Sequence, residues 1–239
     1  MEIHCPWVYV ADLSNSWVDL SVEEGRHVHH VLRCREGQSL VAFDGYGHFR
    51  LGKLVIEKKG CKLAFTEPKS CENQPFCKFT LVQFLPNNIA TFEEILKKSC
   101  ELGIFEIVPI LGMFTEKQHW TLDIWGKKQE RFQRILVESC KQAKNPFLPK
   151  LNFPINFEQL AGEILENSVY GSLNTLINAP IYFPNAKHIA CIIGPEGGFS
   201  KLEEDILSKK SKGIHLPTPV MRVETAVVAV VSVMKVANI

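Results

Sequence analysis

Short strand-length apolar runs separated by turn residues recur through the first 70 or so residues. Leu40–Phe43 and Phe49–Ile56 flank Asp44-Gly45-Tyr46-Gly47. An Asp-Gly pair tolerates the positive φ that tight hairpins demand, so this segment predicts a β-hairpin. Cys61–Thr66 predicts a further strand after the Lys58-Lys59-Gly60 turn, and only Gly25–Arg33 has a short helical pattern. Short strands at close spacing predict a small β-barrel over residues 1–70. Lys69–Pro75 then turns polar and predicts a linker.

Beyond the linker, strand-length apolar runs alternate with helical periods. Phe79–Leu85 predicts a strand, and Thr91 predicts a helix N-cap with Glu94 completing the capping box. Phe92, Ile95, Leu96 and Cys100 share one helix face, Gly103 ends it, and Ile104–Ile110 predicts the next strand. The result is a β-α-β unit, expected to be parallel. A long helix is predicted over Asp123–Ala143, with Phe132, Ile135, Leu136 and Cys140 as its apolar stripe. A helix at Phe157–Glu166 and strands at Ser168–Leu173 and Ile189–Ile193 follow. Ser200, with Glu203 as its box partner, opens another helix, before a strand at Ile214–Leu216 and a closing helix from Thr225 to Ala237. Residues 76–239 therefore predict an α/β domain with a parallel sheet. The closing helix is apolar almost all round, which predicts burial on several sides: in the core on one, and against a second copy on another.

Composition narrows the partners. The 239 residues are 46% hydrophobic and 22% charged, which is ordinary for a globular chain. With 27 basic and 26 acidic residues the net charge is +1. A chain basic throughout is excluded, while a local basic stripe remains available to a nucleic acid. The apolar run Thr225–Met234 is too short for a bilayer, which needs about 20 residues, and Met1–Val10 has no secretion pattern. None of the eight cysteines lies in a C-x-x-C pair. They predict reduced thiols and a cytoplasmic protein, with no membrane partner and no metal. His27, His29 and His30 lack any cysteine spacing that would make them a metal site.

The densest chemical signal is Ile193-Gly194-Pro195-Glu196-Gly197-Gly198-Phe199-Ser200. It follows a buried-type strand and opens a helix, and its paired glycines permit φ values and approaches that side chains forbid. A ligand can therefore lie against bare backbone at the carboxyl end of a strand; a glycine-rich turn that merely joins strand to helix is the competing reading. The spacing fits neither the dinucleotide fingerprint nor the P-loop. A second stretch, Leu216-Pro217-Thr218-Pro219-Val220-Met221-Arg222-Val223-Glu224-Thr225, sets an arginine and a carboxylate near each other in a proline-stiffened loop before the last helix. Taken alone, Glu224 could be a plain helix cap and Arg222 a surface cation.

Together these motifs resemble the 16S rRNA (uracil-N3)-methyltransferase family, RsmE type, of the SPOUT superfamily. His30-Val31-Leu32-Arg33 with Gly37 and Asp44-Gly45 is similar to that family's N-terminal barrel, and Glu93–Lys97 with Glu101-Leu102-Gly103 to the first helix of its methyltransferase domain. The resemblance implies a PUA-like β-barrel followed by a trefoil-knotted parallel α/β domain, binding S-adenosyl-L-methionine and completed by homodimerisation. By matching positions, Leu173, Ile193, Gly194, Glu196, Gly197, Gly198, Leu216, Met221, Arg222 and Val223 would line the cofactor. Arg222 would stabilise uracil-anion character or orient the base, with Glu224 orienting the arginine or, alternatively, acting as base. The chain departs from the family pattern at Pro217, Pro219, Asn87–Ala90 and Lys144-Asn145. Two other activities stay open: a SPOUT methyltransferase acting on tRNA or a ribose 2′-hydroxyl, and a non-catalytic RNA-binding protein with a degenerate knot.

Electrostatics supply the RNA candidates, with the small ribosomal subunit as the implied partner. Lys127, Lys128, Arg131, Arg134, Lys141, Lys144 and Lys150 face only Glu130 and Glu138 in that segment, a local charge of +5. In the barrel, Arg33, Arg35, Arg50 and Lys53 are placed to track phosphates.

Overall fold

A computed structural model describes residues 5–58, 60–163, 167–175 and 180–238, the side chains of 161–163 excepted. The chain forms two compact units, Met1–Gln74 with Val137–Leu148, and Pro75–Leu136 with Pro149–Ile239. A single division at residues 70–76 therefore leaves out one return of the chain to the first unit.

The first unit is a six-stranded mixed sheet. Its strands are β1 (Trp7–Tyr9), β2 (Trp17–Asp19), β3 (Ser39–Phe43), β4 (His48–Glu57), β5 (Gly60–Phe65) and β6 (Ser70–Cys71). The order is β1-β3-β4-β5-β2, with β6 on β4. β1 lies parallel to β3, and the other pairs are antiparallel. The expected hairpin joins β3 to β4: Gly45 and Gly47 adopt φ of 83° and 94°, and Asp44 Oδ1 accepts from the Tyr46 N–H (2.8 Å). Lys59, in the next predicted turn, lies outside the described residues. The helical pattern near Gly25 becomes α1 (Val22–Arg26), capped by Ser21, and continues as one π-helical turn over His27–Val31. Val8, Val28, Leu40, Leu54 and Leu63 are fully buried at the centre. Val137–Leu148 joins this unit through the hairpin tip: the Gly47 N–H donates to Pro146 O and the Leu148 N–H to Gly45 O. A Cβ on Gly47 would collide with the Phe147 ring, so that glycine is required by the docking as well as by its φ.

The second unit is a parallel sheet with helices. Its strands are β7 (Lys78–Phe84), β8 (Glu106–Leu111), β9 (Lys150–Leu151), β10 (Ile155–Asn156), β11 (Ser168–Gly171), β12 (His188–Ile193) and β13 (Lys212–Ile214). The order is β10-β8-β7-β12-β11-β13, with β9 on β8, and every pairing is parallel. The helices are α2 (Ile89–Glu101), α3 (Leu122–Ala143, which from Val137 onward belongs to the first unit), α4 (Phe157–Glu163), α5 (Lys201–Lys210) and α6 (Val223–Asn238). The predicted end of α4, at Glu166, lies outside the described residues.

Helix α2 starts earlier than expected. Asn88, not Thr91, is its N-cap, accepting from the Ala90 N–H (2.8 Å), as suits asparagine's stronger capping preference. Gly103 closes the helix at φ 62°, and Lys235 of α6 donates to the orphan carbonyl of Leu102 (2.6 Å). Phe92 meets Trp120, Trp125 and Phe132 at ring-centroid distances of 5.3–5.7 Å, an aromatic core joining α2 to the start of α3. The predicted stripe of α3 is buried at Phe132, Leu136 and Cys140, while Ile135 is half-buried.

The thiols divide by burial. Cys71 is exposed, whereas Cys34, Cys61, Cys77, Cys100, Cys140 and Cys191 are buried. Burial, helped by the neighbouring Cys77, pushes the Cys191 thiol up to about 12, leaving almost no nucleophilic thiolate at neutral pH. Brief alkylation of the native chain, mapped by mass spectrometry, is expected to label Cys71 and to spare Cys191 until denaturant is added. Equal native labelling of the two would contradict this core.

Candidate functional site

Two loops of the second unit meet around a cavity of ≈ 800 Å³. The first leaves β12 as Gly194–Phe199. Its Pro195–Gly198 turn is closed by Gly198 N–H donating to Pro195 O (2.9 Å), with Gly198 at φ 71°. Phe199 anchors this loop, packing edge-on against Phe84 (4.9 Å) and Tyr170 (6.0 Å). A Cβ on Gly194 would lie 3.4 Å from the Gly198 backbone, so the two ends of the turn approach to van der Waals contact. Ser200 and Glu203 form the predicted capping box of α5. The buried Glu203 also accepts from the Met113 N–H (2.8 Å), tying the base of the loop to the end of β8.

The second loop runs from β13 to α6. The predicted strand Ile214–Leu216 is displaced toward the N-terminus, to Lys212–Ile214, which releases Leu216 into the cavity wall. Arg222 is exposed immediately before α6, its carbonyl accepting from the Ala226 N–H (2.8 Å). Glu224 stands in the first turn of α6, where the helix dipole favours a carboxylate. Arg222 and Glu224 do not bond to one another. Among the described residues the Arg222 guanidinium has no hydrogen-bonded or ion-paired partner, so the cavity meets it without a competing carboxylate.

Leu173, Ile193, Gly194, Glu196, Gly197, Gly198, Leu216, Met221, Arg222 and Val223 all line this cavity, as does Glu224. Glu196 sits there in an unexpected way: its Oε2 accepts from the Asn87 N–H (3.0 Å), clamping the loop to the approach of α2. Sequence reasoning missed a polar group that also lines the cavity. Ser172 Oγ donates to Glu204 Oε1 (2.7 Å), Asn174 Nδ2 to Glu204 Oε2 (3.3 Å), and His215 Nδ1 to Ser172 O (3.4 Å). The one available signal was a second carboxylate in the first turn of α5; the partners converge only after β11 and β13 pair.

The basic candidates separate sharply. Arg33 and Arg35 are exposed, with Arg33 at φ 54°. Arg50 is a correction, because it is spent inside the first unit. It donates to Glu67 O, Leu13 O and Asn15 O and lies over the Phe65 ring at 4.4 Å. Lys53 is exposed and donates to Ser39 Oγ (2.7 Å). On α3, Lys127 pairs with Asp123 (2.7 Å), Arg131 with Glu93 (2.6 Å) and Arg134 with Glu130 (3.9 Å). Lys128 and Lys144 are half-buried. Lys141 is the second correction: it is 7% exposed and bonded to Glu24 (3.0 Å) and Glu138 (2.8 Å). Glu130 and Glu138 are already counted in the local charge of +5; Asp123, Glu93, Glu24 and, on Lys150, Glu106 (2.9 Å) pair with four more of its cations, and the last three are distant in sequence.

Among the described residues no group of three or more His, Cys, Asp or Glu is placed to hold a metal ion, and no helix is long and apolar enough to cross a membrane.

The comparisons agree with this architecture. The RNA methyltransferase domain family matches residues 72–235, and the RNA methyltransferase PUA domain matches residues 20–66. Ribosomal RNA small subunit methyltransferase E of Aquifex aeolicus is 32% identical over 199 residues, covering 79% of this chain and 84% of that protein. The crystal structure of the Neisseria gonorrhoeae ribosomal RNA small subunit methyltransferase E bound to S-adenosyl methionine is 24% identical, with a TM-score of 0.86 over 98% of both chains. A Legionella pneumophila methyltransferase structure in complex with the same cofactor is 25% identical, with a TM-score of 0.84 over 99% of both. With the family match spanning most of the chain and a 32% identical relative covered over 84% of its length, the chain belongs to the ribosomal RNA small subunit methyltransferase E family of RNA methyltransferases.

Proposed function

We propose that the chain transfers a methyl group from S-adenosyl-L-methionine to N3 of a uridine in 16S rRNA of the small ribosomal subunit. The observation that carries this reading is the cavity itself, bounded by bare backbone at Gly194–Gly198 and by the loop that ends in Arg222. Its ≈ 800 Å³ falls within the roughly 300–1,000 Å³ of small-molecule sites. Ile193, Leu216, Met221 and Val230 offer apolar walls, and main-chain groups with Glu204 offer polar ones. The residues present fit the cofactor.

Bound there, the cofactor supplies an electrophilic sulfonium methyl. The chain's own task is to hold a uracil in line and to favour loss of its N3 proton. Arg222 stabilises negative character on the base, and with no carboxylate partner among the described residues its charge is available for that purpose. Glu224, unbonded to Arg222, contributes to the field at the helix start or takes the proton. N3 lies on the pairing edge, so the target base leaves any pair before it reacts.

The finer features belong to the same reading. The chain carries the trefoil knot of its family, supported by the two loops that flank one cavity at the carboxyl ends of β12 and β13. It works as a homodimer through α6, where Val236 is 84% exposed and Val220, just before the helix, 79% exposed. RNA is held by Arg33, Arg35 and Lys53 in the barrel unit, by Lys127, Lys128, Arg131 and Arg134 on α3 and by Lys144 just beyond it, while Arg50 and Lys141 are withdrawn. The protein works in the cytoplasm.

The test is to incubate the protein with methyl-labelled cofactor and small subunits lacking the modification, then to analyse the nucleosides. Labelled 3-methyluridine is expected. A labelled 2′-O-methyl nucleoside, or labelling of tRNA alone, would refute the N3 assignment. Failure to bind the cofactor at millimolar concentration in calorimetry would point to a non-catalytic RNA-binding protein.

A further inference from the structure

The loop from β8 to α3 holds Met113 67% exposed and Phe114 48% exposed. Its backbone is nevertheless pinned on every side. The Met113 N–H donates to Glu203, which is 4% exposed. Thr115 Oγ1 donates to Leu85 O (3.2 Å) and accepts from the Gly112 N–H (3.1 Å). The Glu116 N–H donates to Asn87 Oδ1 (3.3 Å). These bonds fix the backbone of the loop, on which the two apolar side chains stand exposed.

The position of Phe114 gives that exposure a use. A Cβ on Gly197 would lie 3.4 Å from Phe114 Cβ, so the phenylalanine rests on a residue of the cavity wall. Its neighbour Glu196 is held by Asn87, the same residue whose side chain holds Glu116. Wall and aromatic loop are one braced assembly.

A half-exposed ring carried on a braced backbone beside a methyl-donor cavity suits a nucleobase, since every base has a π-face and stacking needs no hydrogen-bond match. Two side chains fall far short of the roughly 1,000 Å² that a stable protein partner requires. We infer that Phe114, with Met113 beside it, is a stacking platform for a base of the substrate RNA at the cavity. This assignment rests on the RNA methyltransferase reading and names a substrate contact within it.

The test compares wild type with F114A, F114L and F114Y as full-length chains. Three quantities are measured: cofactor affinity by calorimetry, kcat and KM on unmodified small subunits, and affinity for a fluorescein-labelled small-subunit RNA fragment. F114A and F114L are expected to lower kcat/KM and RNA affinity by roughly 5- to 150-fold. F114Y, which keeps the ring, should stay near wild type, with cofactor affinity unchanged throughout. Wild-type behaviour of F114L would overturn the platform, because an apolar side chain without a ring would then suffice. Loss of cofactor binding in F114L would also overturn it, in favour of a wall role. Dissociation of F114L into monomers from a dimeric wild type, seen by light scattering, would overturn it in favour of a protein interface. Should wild type transfer no methyl to uridine, the reaction assignment fails, and the platform is still decided by the RNA affinity of F114L against F114Y.

Discussion

Arg222→Ala is expected to lower kcat for methyl transfer by about 10²–10³, the range seen when a preorganised partner of a developing anion is removed. Cofactor affinity should change far less, because the wall is built mainly from backbone and apolar side chains. The reason is electrostatic. Uracil N3 gains nucleophilicity only as its proton leaves, and the charge that appears then has to be met beside the cavity. Among the described residues Arg222 is not engaged by any carboxylate, so its charge is not already offset. Arg222→Lys should recover part of the rate, since it restores the charge without the planar fork. Single-turnover measurements with pre-bound cofactor separate the chemical step from binding. An undiminished rate in Arg222→Ala would remove the arginine from the mechanism. Glu224→Gln tests the other assignment: a loss as large as that in Arg222→Ala, with a shifted pH–rate profile, would make Glu224 the proton acceptor.

Local signals were legible in the sequence and nonlocal ones were not. The turn at Gly194–Ser200 and its capping box depend on residues within a few positions of one another, and both stand where the sequence placed them. The hairpin at Asp44–Gly47 is local in the same sense. Strands β1 and β2 have three residues each, too few for alternation to register. The return of Val137–Leu148 to the first unit depends on Phe147 meeting Gly47, a hundred positions away in the chain, which no periodicity encodes. Exposure of charge was the least legible property. Arg33 and Arg50 are alike in composition and flanks, yet one is exposed and the other satisfies three backbone carbonyls. The polar wall around Glu204 was hidden for the same reason.

Lys141 shows what such a misjudged charge implies for stability. Lys141 and Glu24 are 7% and 8% exposed, and both Glu24 oxygens accept from Lys141 Nζ at 3.0 Å. Burial already pushes the Glu24 carboxyl above its ordinary range, opposed by Lys141 and His27 and aided by Glu138. Lys141→Met leaves that carboxylate buried without its partner and is expected to cost about 3–5 kcal/mol in equilibrium denaturant unfolding. The sign with pH follows from the direction of the shift. A carboxyl whose folded pKa is raised binds its proton more tightly in the native state, so the penalty is fully present above the raised value. It should shrink as pH falls through that value toward the unfolded range. Replacing both partners, as in E24L/K141M, removes the stranded charge and should return stability to near wild type. The double variant should also bind small-subunit RNA as wild type does, because the Lys141 ammonium never faces solvent. Loss of RNA affinity in a double variant that keeps its stability would restore Lys141 to the binding surface and contradict the buried pair.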